Sequence, residues 1–143
     1  MEHELIMAMQ RYESASNRAF WQELFAKLRG QSAHLLSFEE ARAALNAWNE
    51  VDIGLVDVPV ERIVGSVGRH KDFTPTFLPR NSVNRDRWSR VLVKMVGDLG
   101  LPPVEVYELN GDYFVRDGNH RVSVARALGC TTIQAYVTAV RPV

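Results

Sequence analysis

Between Tyr113 and Gly129 the sequence changes period once, and that change dictates a local fold. Tyr113, Phe114 and Val115 form an extended apolar run that stops at Asp117-Gly118. A helix-forming run follows at once, from His120 to Leu128, with Gly129 at its end. Strand, glycine turn and helix are therefore expected in immediate succession. The unpaired N–H groups and positive dipole end of a helix start attract anions. Gly118 permits positive φ or close backbone approach, and Arg121 adds a forked donor suited to phosphate or carboxylate. In this reading Gly118 and the first helical N–H groups hold phosphate oxygens, and Arg121 neutralises them. His120 can donate a proton or a hydrogen bond, since imidazole ordinarily titrates near neutrality. Asp117 can accept a hydroxyl proton or hold a metal through water. The plainer alternative is that Asp117 or Asn119 caps the helix and Arg121 makes a surface ion pair. Capping accounts for one polar residue here, not for five small or polar residues in a row.

The rest of the chain supplies the frame. Val104–Leu109 and Asp112–Arg116 read as strands joined by Asn110-Gly111, a strong hairpin signal. Ile133, Ala135, Val137 and Ala139 alternate within Thr132–Val140, as a half-buried strand requires. Asn84 to Leu99 has helical period through Trp88, Val91, Leu92, Met95, Val96 and Leu99, with Gly100 as the stop. Residues 1–50 read as a helical pair ahead of a second unit, residues 51–143. The first helix spans Leu5–Leu28, with a bend near Ser14–Asn17 and an end at Gly30. Its stripe of Leu5, Met9, Tyr12, Phe20, Leu24 and Leu28, widened by Ile6, Trp21 and Phe25, is expected to pack on its own domain or on a twin subunit. Ser37-Phe38-Glu39-Glu40 is a capping box in which Glu40 reaches back, and Phe38, Ala41, Leu45 and Trp48 share one face of the second helix. Val51–Val60 turns to β-branched residues, and residues 61–87 read as irregular. After residue 50 the order is strand, loop, helix, hairpin, helix, strand, which is mixed α+β.

Two further clusters compete with the glycine turn. Gly65-Ser66-Val67-Gly68-Arg69 combines flexible backbone, a hydroxyl and a positive charge, so Ser66, Gly68 and Arg69 are candidate phosphate contacts. It lacks the Lys-Ser/Thr ending and the spacing of a Walker A loop. Arg80, Arg85, Arg87 and Arg90 surround Trp88, a mixture that suits nucleic acid, although Trp88 also fits the helix's apolar stripe and so the core. Charge supports a local basic surface only: the whole chain has 17 Lys/Arg and 17 Asp/Glu, whereas residues 61–94 hold eight against three. The single cysteine, Cys130, excludes an internal disulfide and sits where a small buried residue belongs. The four histidines lack metal-ligand spacing, and no metal site is expected. An acidic start at Met1-Glu2-His3-Glu4 and no apolar run of about 20 residues point to a cytoplasmic protein without membrane contact.

The run Asp117-Gly118-Asn119-His120-Arg121, with Ala125 a turn later, resembles the Gly-x-x-Arg-x-x-x-Ala signature of the ParB/sulfiredoxin superfamily. Pro103–Tyr107 and Ile133–Val137 fit that fold's strand order. Pro59–Ile63 with the Gly-Ser-Val-Gly-Arg segment looks like its opening strand and first ligand loop. The resemblance covers roughly residues 55–140 and implies a ParB/sulfiredoxin-like α+β sheet domain behind the helical pair. It also implies a nucleotide, CTP or ATP with Mg2+, or another phosphorylated small molecule, held by Gly118, Asn119, His120 and Arg121. Asn119 stands where sulfiredoxin places its catalytic cysteine, so sulfinic acid repair is not expected. ParB continues into a DNA-binding domain, whereas this sequence stops at Val143, so a self-contained partition protein is not expected either. The Asp-Gly-x-His-Arg form looks more like the free serine kinases of the superfamily. Three readings follow: a nucleotide- or phosphate-binding domain, a phosphotransferase or nucleotide hydrolase using Asp117 or His120, and a nucleic-acid-associated regulator using the basic 61–94 segment. A homodimer through the first helix is compatible with each.

Overall fold

A computed structural model of the chain describes residues 2–97 and 100–143. Its elements run α1 (Glu2–Leu28), β1 (Leu36–Ser37), α2 (Phe38–Leu45), β2 (Asn49–Pro59), a 3-10 turn (Val60–Arg62), β3 (Ile63–Ser66), α3 (Arg85–Val96), β4 (Val104–Leu109), β5 (Asp112–Asp117), α4 (Asn119–Ala127) and β6 (Thr132–Arg141). The six strands form one mixed sheet in the order β1-β3-β5-β4-β6-β2. The β4–β5 and β2–β6 pairs are antiparallel and the other three parallel. The fold is α+β, as the sequence indicates. No helix among the described residues is long and apolar enough to cross a membrane.

Strand alternation sorts the core into two layers, because successive side chains point to opposite faces. Val104, Val106, Val115, Ala135 and Val137 face a cluster that includes Trp88 and Leu92 of α3 and Val122 and Val124 of α4. Tyr107, Leu109, Phe114 and Val140 face the other way, onto Phe38 of α2 and Ala47. The stacked rings of Phe38 and Tyr107, 4.4 Å apart, seal that second layer. Helices α3 and α4 therefore cover one face of the sheet, with α1 packed on α3, and α2 covers the other.

The hairpin turn has both residues at positive φ (Asn110 53°, Gly111 87°), the requirement of a two-residue turn that matches strand twist. The segment expected to be irregular contains β3, whose Gly65 lies against the Phe114 ring. A Cβ on Gly65 would sit 2.3 Å from that ring and 2.6 Å from the Leu36 carbonyl, so only glycine lets β1, β3 and β5 approach. A two-residue strand and a four-residue strand have too few side chains for a readable period, which is why both escape the sequence.

Helix α1 runs unbroken through Ser14–Asn17 and stops at Leu28, closed by Gly30 at φ 68°. Of its expected stripe only Tyr12 is buried, and the other aromatics of the stripe face outward; the inward face is Ala8, Tyr12, Ala15, Ala19 and Ala26. These small side chains let α1 lie close to α3, where Tyr12 meets the Trp88 ring edge-on and donates to the Val83 carbonyl (2.9 Å). Phe20, Trp21, Leu24, Phe25 and Leu28 are left in solvent. In α2 the Ser37 hydroxyl accepts the Glu40 N–H (3.3 Å), but it is Glu39, not Glu40, whose carboxylate accepts from that hydroxyl (3.0 Å). Leu45 is exposed at the end of α2, and Trp48, expected on this helix, lies beyond its Asn46 C-cap and is exposed too. Asn84 caps α3, accepting the Arg87 N–H at 2.9 Å; Leu99, expected to extend this helix, lies outside the described residues.

Candidate anion cleft at the start of α4

Helix α4 begins differently from its neighbours. Its N-cap is Gly118, at φ 114°, with no side chain to accept an N–H. Neither Asp117 nor Asn119 caps it, and the helix starts one residue earlier than the sequence suggests. A Cβ on Gly118 would lie 2.5 Å from Val104, so the close approach that the turn signals is to the floor of the sheet. The first intrahelical bond runs from the Val122 N–H to the Gly118 carbonyl (3.0 Å). The N–H groups of Asn119, His120 and Arg121 precede that bond and so lack intrahelical acceptors.

These groups open onto a cleft of about 250 Å3 lined by the first turn of α4, the end of β5, Val67 and Arg69 after β3, and Arg87 and Val91 of α3. Four arginines line it, Arg69, Arg87, Arg116 and Arg121, against one carboxylate, Asp117. Cations normally stabilise helix C-termini; collecting them at an N-terminus is unfavourable until an anion arrives. Asn119 lines the same cleft. It is 8% exposed, and its Oδ1 has no hydrogen-bond partner among the described residues. A buried amide oxygen left unpaired costs about 1–3 kcal/mol.

The arginines are committed to different degrees. Arg121 is mostly enclosed: Nη1 donates to the carbonyls of Pro102 (2.8 Å) and Pro103 (3.1 Å), and Nη2 to Asp117 Oδ2 (3.2 Å). It fastens α4 to the lead-in of β4 and retains Nε–H and one Nη2–H for a ligand. Arg69 pairs with Asp72. Burial raises the Asp72 pKa, but hydrogen bonds from Arg69 and Ser82 outweigh it and hold this carboxyl below its ordinary value. Arg87 and Arg116 make no ion pair among the described residues, and Arg116 lies over the Tyr107 ring at 5.5 Å.

His120 is buried, edge-on to Phe73 at 5.7 Å. Burial first, then the charges of Arg87 and Arg69, push its pKa down to about 4, with Asp72 opposing. It is neutral near pH 7 and offers a hydrogen bond rather than an acidic proton. Asp117 is exposed at the rim.

Of the residues singled out from sequence, Arg69, Asp117, Gly118, Asn119, His120 and Arg121 meet at this cleft. Ser66 does not: it is fully buried in β3, its hydroxyl turned to the Val67 carbonyl (3.5 Å). Gly68, at φ 76°, turns the chain outside the lining. Trp88 is fully enclosed, its Nε1 donating to Ser123 (2.9 Å), so it is core and no platform for a base. Arg80 pairs with Glu23 of α1, and Arg85 lies 3.7 Å from Glu13, so part of the basic segment is neutralised by the first helix. Cys130 is exposed, contrary to expectation: the N–H of Cys130 bonds the Ala125 carbonyl (2.9 Å), and the αL turn at Gly129 directs this residue outward. Arg87 and Arg116 are the lining residues that sequence reading missed as part of this site. Both stand near the ends of their elements and line the same cleft only after folding.

Fold and cleft together define a mixed α+β domain with a positively charged cleft at an uncapped helix start. No family model and no curated protein matches the chain. Among solved structures it is similar to the crystal structure of sulfiredoxin from Arabidopsis thaliana, at 23% identity and a TM-score of 0.45, over 58% of this chain and 82% of that one. The architecture stands on the strand order and registers themselves.

Proposed function

We propose that this chain is a phosphate-binding domain, with nucleotide phosphates among its ligands, and that the start of α4 is the grip. One observation carries the reading: four arginines surround a helix N-terminus that has neither a side-chain cap nor an acid in its first turn. Free N–H groups and guanidiniums are complementary to phosphate oxygens in charge and in hydrogen-bonding sense. The unpartnered Asn119 amide is a second polar contact, since a half-turn about its χ2 exchanges the oxygen for NH2. The Asp-Gly-x-His-Arg resemblance to the ParB/sulfiredoxin superfamily agrees with this use of the turn. Binding is favoured over catalysis because His120 is neutral and enclosed, and Asp117 is already engaged by Arg121.

The test is a thermal-shift and calorimetric titration of the full chain with inorganic phosphate, ATP and CTP, with and without Mg2+. Phosphate-bearing ligands should raise the melting temperature, and the rise should shrink in Arg87→Ala and Arg116→Ala. No response of the parent protein to any phosphate compound would sink the reading.

A further inference from the structure

Granting that phosphate reading, we propose that the cleft recognises a diphosphate group as such: inorganic pyrophosphate, or the pyrophosphate end of any nucleotide, without choice of base. Size is the first argument. Pockets that enclose a drug-sized ligand run about 300–1,000 Å3, and this cleft is about 250 Å3. It accommodates a phosphate chain and leaves a nucleoside outside.

Charge is the second argument. A single phosphate at the α4 start would satisfy the helix N–H groups and the spare donors of Arg121. Arg87, supplied from α3, would remain unpaired beside it, while the Arg116 guanidinium of β5 lies over the Tyr107 ring. A guanidinium is a planar fork that takes two oxygens of one anionic centre, so a free fork beyond the helix start calls for a second such centre. The contents of the wall give the third argument. No Phe, Tyr or Trp ring lines the cleft among the described residues; its apolar surface is Val67 and Val91. The nearby rings are already in use. Tyr107 is stacked on Phe38 and covered by Arg116, while Phe73 is fully buried behind His120. A base would find no face to stack on, and stacking is the usual sequence-tolerant way of holding one.

The experiment is calorimetric titration of the full chain with pyrophosphate, orthophosphate, ADP, CDP, GDP and UDP, and with adenosine and cytidine. Pyrophosphate and the four diphosphates should bind within about threefold of one another, orthophosphate at least about tenfold more weakly, and the nucleosides not at all. Arg87→Ala combined with Arg116→Ala should weaken all the diphosphates by at least about tenfold and to the same degree. One nucleotide binding tenfold tighter than pyrophosphate would overturn base indifference and leave the phosphate reading standing. Orthophosphate equal to pyrophosphate would overturn the two-centre argument. Absence of binding by every phosphate compound would overturn both this inference and the reading beneath it.

Discussion

Helices α3 and α4 start within reach of the same cleft and solve the problem of their first turns in opposite ways. Helix α3 is finished by its own sequence: Asn84 accepts the Arg87 N–H, and Asp86 puts a negative charge in the first turn. Helix α4 has Gly118 in place of a cap and no acid in its first turn, which instead carries Arg121. The other two helices follow α3, with Glu2 and Glu4 at the start of α1 and Glu39 and Glu40 at the start of α2. The difference teaches where the molecule is electrostatically complete. Among the described residues, three α-helices carry acids in their first turns, and the fourth, α4, carries none and starts in a cleft lined by arginines.

The strongest way to break this comparison is Gly118→Ala. A side chain there meets positive φ, at about 1–2 kcal/mol, and overlap with Val104, where overpacking costs about 1–3 kcal/mol. We expect about 2–5 kcal/mol of lost stability by chemical denaturation. A change below about 0.5 kcal/mol would mean that the turn is not held as described.

Acidification comes next. The His120 pKa is lowered from 6.5 to about 4 on folding, so the unfolded chain takes up the proton first. The contribution of neutral His120 is complete above about pH 6.5 and is lost as pH falls toward 4, up to about 3 kcal/mol in all. Denaturation curves between pH 7 and 4 should show the loss, and His120→Gln should flatten it. An unchanged slope in that variant would remove His120 from the account.

Asn84→Ala sharpens the comparison from the other side. Losing the α3 cap should cost about 1 kcal/mol, the usual value for a cap, while phosphate affinity stays nearly constant. Smallest of all should be Trp21→Ser on the outward face of α1, within about 0.5 kcal/mol in thermal unfolding, because that ring is more than half exposed and touches only its α1 neighbours Phe20 and Phe25 among the aromatic rings. A large loss there would show that the aromatic face is buried in solution, which sedimentation of both proteins would reveal as self-association.

These contrasts also show what was legible beforehand. Asn110-Gly111, the alternation through Ile133–Ala139 and the cap at Ser37 were readable because each is a local rule tying residue type to backbone shape. The Gly118 turn was readable for the same reason. The inward face of α1 was not. Its alanines and its aromatics recur with the same helical period, so periodicity identifies the helix but not the side that meets α3. Arg87 and Arg116 escaped because their meeting at the cleft is a product of sheet order, to which local pattern is blind. Arg121 was read as a ligand contact or as a surface ion pair; it makes the ion pair, with Asp117, and its bonds to the Pro102 and Pro103 carbonyls add a structural role that local pattern does not show.

The most direct test of the central claim is an amide-resolved NMR titration of the full chain with pyrophosphate. The account predicts saturable shifts at the N–H groups of Asn119, His120 and Arg121, the uncapped turn of α4, and none at Phe38, Glu39 and Glu40, the capped turn of α2. Saturation without movement of the α4 turn, or equal movement at both helix starts, would contradict it.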